Sequence, residues 1–278
     1  MARSLRQRGF GARMIQFENV TKVYHARGIE KRVLDQQSFV IERGRAIGVV
    51  GANGAGKSTL TRLIAGIEFP TSGRIRRGMS ISWPLGFGGA FQGSLTGADN
   101  TRFIARIYGR HVADTLDYVE AFAELGRYLH MPVKTYSSGM RARLAFAVSL
   151  AIKFDCYLVD EITAVGDNTF RQRCEAALKE RRQTGTLIMV SHDAHTLRSY
   201  CDTGAILSDG VLTFFATIDE TIAAYDAMFA PPPAIAAVAP VPPVAPVAAR
   251  KRQAGPKKAP AKKSKKPPAR KSKKSPAA

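Results

Sequence analysis

The chain has no long apolar stretch. Its longest nearly unbroken run, LAFAVSLAI at 144–152, is nine residues, well short of the about 20 that a bilayer-spanning helix needs. No membrane crossing is predicted. Cysteine is scarce: Cys156, Cys174 and Cys201 are odd in number and widely spaced, which excludes a disulfide framework and offers no zinc-ligand pattern. A reduced, cytosolic protein is expected. No apolar segment follows the basic start MARSLRQRGFGAR, so that start is not read as a secretory signal. Acidic residues are missing from both ends. Residues 231–278 hold 13 Lys/Arg and no acid, and residues 1–13 hold four Arg and no acid. The formal net charge of +20 is therefore concentrated at the ends, and residues 14–230 net only +3. That distribution argues against a fold that is basic throughout and grips nucleic acid over its whole surface.

What remains falls into three regions. Residues 1–13 are expected to be a basic, unstructured arm. Met14, which opens the alternating apolar-polar strand pattern MIQFENVTKVY, offers an alternative start of translation. The body, 14–230, alternates strand and helix signals. Strand-like runs are VLDQQSFVI at 33–41, AIGVV at 46–50, CYLV at 156–159 and TLIMV at 186–190. Helix-like runs are KSTLTRLIAG at 57–66, FRQRCEAALKERRQ at 170–183 and DAHTLRSYC at 193–201. Buried strands alternating with helices predict an α/β fold with a mostly parallel sheet covered on both faces. Residues of about 97–153 break the rhythm and read as helices alone, a helical subdomain inserted into the core. The tail, 231–278, contains 12 of the 15 prolines. It is expected to be disordered, because proline interrupts helix and sheet pairing and lysine repulsion extends the chain.

The sharpest chemical signal is GANGAGKS, Gly51–Ser58, a match to G-x-x-x-x-G-K-S/T set between the strand AIGVV and a helix. Glycines let backbone N–H groups turn inward around a phosphate, and the helix N-terminus adds partial positive charge. Lys57 supplies a full charge for the β- and γ-phosphates, and Ser58 a hydroxyl for Mg²⁺. Asn53, Gly54, Ala55, Gly56 and Thr59 complete the predicted nucleotide cradle. About 100 residues later CYLVDE ends an apolar strand with Asp160 and Glu161, a carboxylate for Mg²⁺ and a second one to orient or deprotonate an attacking water.

Between those motifs lies YSSGM, Tyr136–Met140, at a helix start. With it the motif order resembles an ABC-type ATPase domain, a P-loop NTPase with a RecA-like core, an N-terminal antiparallel β region and an inserted helical subdomain. YSSGM resembles the LSGGQ signature of that family: Ser137 and Gly139 match, Ser138 replaces Gly and Met140 replaces Gln. The resemblance implies that Ser137 and Gly139 contact the γ-phosphate of ATP held by a second subunit. It further implies that Tyr24 stacks on adenine and that Gln92 senses the γ-phosphate, touches the metal and couples to the membrane subunit. Asp167 would pair across the dimer, and His192 would act as a switch on the γ-phosphate.

The stretches SWPLGFGGAFQGSLTGADN, MPVKTYSSGMRARLAFAVS, YLVDEITAVGD and LIMVSHD narrow the likeness to ATPase subunits that export capsular polysaccharide, with O-antigen and teichoic acid exporters as relatives. The likeness implies a homodimer holding two ATP molecules, an integral-membrane permease partner and residence at the cytoplasmic face of the membrane. It also implies no direct contact with the glycan. The basic tail reads first as a solvated, self-repelling extension, with an electrostatic tether to anionic lipid as the sharper alternative. The competing reading is a soluble ABC ATPase that acts on nucleic acid or ribosomes through the tail. It is disfavoured by the single phosphate loop, the short helical insertion and a tail without aromatics to stack on bases.

Overall fold

The computed structural model describes residues 14–26, 28–85, 91–160 and 168–229, all within one compact unit that spans residues 1–231. The expected arm and tail, and the site candidates Glu161 and Asp167, lie outside the described residues. In chain order, β1 (Met14–Ala26) and β2 (Ile29–Glu42) form an antiparallel hairpin. Strand β3 (Ala46–Val50) then leads through a tight loop into α1 (Lys57–Ala65). Strands β4 (Ser72–Arg77) and β5 (Ile81–Pro84) follow. Next come three helices, α2 (Gly97–Ile107), α3 (Val112–Ala123) and α4 (Ser138–Ala151), with two short 3-10 turns at Gly126–His130 and Val133–Thr135. The remainder is β6 (Cys156–Asp160), α5 (Asn168–Thr184), β7 (Thr186–Val190), α6 (Ala194–Tyr200), β8 (Thr203–Ser208), β9 (Val211–Phe215) and α7 (Ile218–Phe229).

Two sheets result. One is three-stranded and antiparallel, in the order β2-β1-β4. The other is six-stranded, in the order β5-β6-β7-β3-β8-β9. Every neighbouring pair in the larger sheet is parallel except the β8–β9 hairpin at one edge. The side-chain period of two explains why its central strands are apolar on both faces along most of their length. From β3, Ile47 and Val49 enter one core and Ala46 and Val50 the other. Strand β7 divides Ile188 and Val190 from Leu187 and Met189, and β6 divides Cys156 and Leu158 from Tyr157 and Val159. One core packs α1 and the hairpin against the sheet; the other receives the helical segment, α5, α6 and α7. A strand covered on both faces gains from apolar residues at every position. The three cysteines are buried. Burial pushes the Cys174 and Cys201 thiols up to about 12 and the Cys156 thiol higher still, so they pack as small apolar groups rather than act as nucleophiles.

Candidate nucleotide site

Because β6, β7, β3 and β8 run in parallel, their C-terminal ends converge on one rim, where ligands of open α/β sheets bind. Residues 51–56 cross that rim between β3 and α1. Gly51 must lack a side chain, since a Cβ there would stand 2.5 Å from the Leu207 carbonyl oxygen of β8. Gly54 and Gly56 have φ of +79° and +109°, and a Cβ on Gly56 would reach 2.0 Å from Val33 Cγ1 on β2. The loop is thus wedged between the two sheets in a conformation open only to glycine. Lys57 Nζ folds back across the loop and donates to the Gly51 carbonyl at 2.7 Å and the Ala52 carbonyl at 3.1 Å. Gly56, the N-cap of α1, offers no side-chain cap, and the first turn of α1 carries no acid. The leading N–H groups of α1 and the Lys57 ammonium therefore present a positive face suited to an oxyanion.

A cavity of about 620 Å³ opens over this face, lined by Tyr24, Lys31, Val33, Asn53, Gly54, Gly56, Lys57, Ser58, Thr59, Asp160 and Val190. It unites the predicted phosphate loop with the predicted aromatic, Tyr24, and the predicted metal carboxylate, Asp160. Its oxygen donors, the Ser58 hydroxyl and the Asp160 carboxylate, are of the hard type that Mg²⁺ takes alongside water and substrate phosphates. Tyr24 is fixed by its surroundings. Its hydroxyl donates to Glu68 Oε2 at 2.5 Å and lies 3.3 Å from Thr59 Oγ1, and Lys22 Nζ sits 4.9 Å from its ring centroid. Arg62 Nε meets the other oxygen of Glu68, Oε1, at 3.0 Å, and Lys22 Nζ approaches Oε2 at 3.6 Å. Desolvation acts to raise the Glu68 carboxyl, but the Tyr24 hydroxyl, Arg62 and Lys22 together hold it below its ordinary value.

His192 follows β7 on the same rim. With Gly51, Ala52 and Asn53, and with Tyr225 and Phe229 of α7, it borders an adjoining cavity of about 580 Å³. Ala55 lines a third, smaller hollow of about 220 Å³ on the α7 side of the loop. Gln92, Ser137 and Gly139 do not line the main cavity. The Gln92 backbone is held by Asn100 of α2: its N–H donates to Asn100 Oδ1 at 2.8 Å, and its carbonyl accepts from Asn100 Nδ2 at 3.1 Å. Ser137 is the N-cap of α4, its Oγ accepting from the Met140 N–H at 3.2 Å, and Gly139 lies in that helix's first turn. Ser137 and Gly139 belong to the helical segment, and Gln92 lies in the loop that leads into it.

Sequence reasoning missed Lys31, Val33 and Glu68. The first two had a usable signal. In the β1–β2 hairpin Tyr24 stands directly opposite Lys31, so a strand pattern on both sides of Gly28 sets Lys31 beside the aromatic and Val33 two residues further along the same face. Glu68 lies in a loop beyond α1 and gave no signal.

Comparison with known proteins bears on all of this. The ABC transporter family model matches residues 34–164. The chain is 52% identical over 215 residues to the capsule polysaccharide export ATP-binding protein CtrD of Neisseria meningitidis, covering 77% of this chain and 100% of CtrD. It is 51% identical over 213 residues to the ATP-binding protein BexA of Haemophilus influenzae, covering 77% of this chain and 98% of BexA. A solved dimeric structure of the ATP-binding cassette MJ0796, in a post-hydrolysis state bound to ADP and Pi, superposes with a TM-score of 0.62 at 21% identity, covering 71% of this chain and 96% of that one.

Proposed function

The chain belongs to the ATP-binding subunits of ABC transporters, and from that premise we propose that it powers export of capsular polysaccharide across the cytoplasmic membrane. As a member of this family it is an ATPase. The observation that carries the substrate class is the 52% identity that runs the full length of CtrD. Among the described residues no helix is long and apolar enough to cross a membrane. The chain accordingly acts as a peripheral subunit on the cytoplasmic side, beneath a separate integral-membrane permease, and as a homodimer.

The roles follow from charge and reach. Tyr24, anchored through its hydroxyl by Glu68, offers its ring to the adenine. Lys57 exchanges its two loop carbonyls for β- and γ-phosphate oxygens, and the N–H groups of 54–59 surround the same phosphates. Ser58 and Asp160 would hold Mg²⁺, which when bound neutralises charge on the phosphates; Gln92 would be a further partner of the ion. Glu161 takes the proton of the attacking water and His192 steadies the γ-phosphate, so that the protein acts by positioning and charge stabilisation. Ser137 and Gly139 serve the ATP of the partner subunit, which accounts for their distance from this chain's own cavity, and Asp167 pairs across the same seam.

The test is surface polysaccharide on cells whose only copy carries Lys57→Ala. The expected result is loss of the glycan from the surface and its accumulation inside, where its sugar composition identifies the substrate. Unchanged surface glycan in cells without a paralogue overturns the proposal.

A further inference from the structure

We propose that Lys31 is a second phosphate-binding lysine of the nucleotide site, supplied by the hairpin rather than by the phosphate loop. This rests on the nucleotide-binding reading above and adds to it a residue that lies outside the loop motif.

The hairpin register puts Lys31 directly across from Tyr24. Opposed residues of an antiparallel pair project from the same face with their side chains in contact range, so the lysine and the base-facing aromatic enter the cavity together. The Lys31 ammonium reaches the loop itself: Nζ donates to the Gly54 carbonyl at 2.7 Å. Gly54 has φ +79°, and even a Cβ there would come within 3.5 Å of that ammonium. Val33, two residues along on the same strand face, wedges against Gly56 and fixes the strand's height over the loop. Lys31 thus approaches from the Tyr24 side of the cavity, while Lys57 lies across the carbonyls of Gly51 and Ala52.

The two lysines share a chemical state. Lys31 donates to the Gly54 carbonyl and Lys57 to those of Gly51 and Ala52, and both are cationic side chains. One carbonyl occupies one of three N–H donors on Lys31. A phosphate oxygen arriving between the aromatic and the loop accepts from the others in a charge-assisted bond, stronger than the carbonyl contact it supplements. A purely structural lysine, bracing the loop through Gly54, needs neither the cavity position nor the charge. The ligand class is a nucleoside di- or triphosphate, bound from both ends of its phosphate chain.

The experiment measures equilibrium affinity of the purified full-length chain for ATP, ADP and adenosine, in Lys31→Gln, Lys31→Arg and Lys57→Ala beside the parent, at two salt concentrations. Lys31→Gln is expected to weaken ATP and ADP about tenfold, the low end for a charged hydrogen bond at a partly exposed site. It should leave adenosine unchanged and flatten the salt dependence of ADP binding. Lys31→Arg should restore most of the affinity and the salt dependence. Unchanged ADP affinity in Lys31→Gln overturns the inference, as does equal weakening of ADP and adenosine, which would make Lys31 a brace for the loop or a contact to the base. Failure of the parent to bind ATP, or indifference to Lys57→Ala, would instead overturn the nucleotide site as a whole.

Discussion

Glu68 joins four side chains into one network at the edge of the main cavity: Tyr24, Arg62, Lys22 and, through the tyrosine, Thr59. Its carboxyl is held below its ordinary value of 4.5. A folded-state value below the unfolded one means that the charged network contributes fully above about pH 4.5 and fades as pH falls through the lower folded value. Glu68→Gln should therefore lose stability at neutral pH, and its remaining stability should fall less steeply than the parent's as pH drops below 4.5, as thermal melts at successive pH values would record. Glu161 belongs to the same scale. If it is the base, Glu161→Gln lowers turnover by about 10²–10⁴ while ATP still binds, and near-normal hydrolysis in that variant rejects the assignment. The course of the glycine-rich loop between β3 and α1 was legible from spacing, because its glycines answer local backbone requirements. Glu68 was not, since its role depends on the 44 residues of chain folding that bring it to Tyr24.

At the scale of elements, helix ends explain much of the helical segment. Thr96 caps α2, accepting from the Asp99 N–H at 3.0 Å, and Ser137 caps α4 in the same way. The last turn of α4 holds no basic residue, and carbonyls at its end are met from elsewhere: Arg181 of α5 donates to the Leu150 carbonyl, and Arg110, just past α2, to that of Lys153. Thr96→Ala and Ser137→Ala should each remove about 1 kcal/mol of stability, a fall of roughly 2–4 °C in Tm for a chain of this size. Only Ser137→Ala should also weaken ATP-driven dimerisation in light scattering; equal dimerisation by both variants would reduce Ser137 to a cap. The central strands and long helices were readable because their apolar periods are strong. Strands β4, with the mostly exposed sequence SGRIRR, and β9, at a sheet edge with two of its five residues half-buried or buried, carry no such pattern. Their place is set by neighbours, β4 by pairing with β1 and β9 by its hairpin with β8.

For the whole molecule, the relatives CtrD and BexA are covered almost completely by 77% of this chain, and 13 of its cations stand in residues 231–278. Each Lys or Arg near an anionic bilayer contributes about 1 kcal/mol. Removing residues 231–278, with their 13 cations, should therefore release the protein from anionic vesicles at low salt and leave ATP hydrolysis in solution unchanged; equal vesicle binding with and without those residues rejects a lipid role. The parallel sheet was legible as a class, but its strand order was not. Which strands adjoin is decided by crossovers that put β3 between β7 and β8, and a run of apolar residues does not name its neighbours. That order has a consequence for how the protein is made. Strand β3, buried along its whole length, is the first strand of the large sheet to leave the ribosome, yet Ala46 pairs with Leu187, about 140 residues downstream. At bacterial and eukaryotic rates of about 5–20 residues per second this is a wait of roughly 7–30 s. Throughout it, the strand that leads into the glycine-rich loop has both edges open, and newborn chains need shielding for as long as the stretch between β3 and β7 takes to translate.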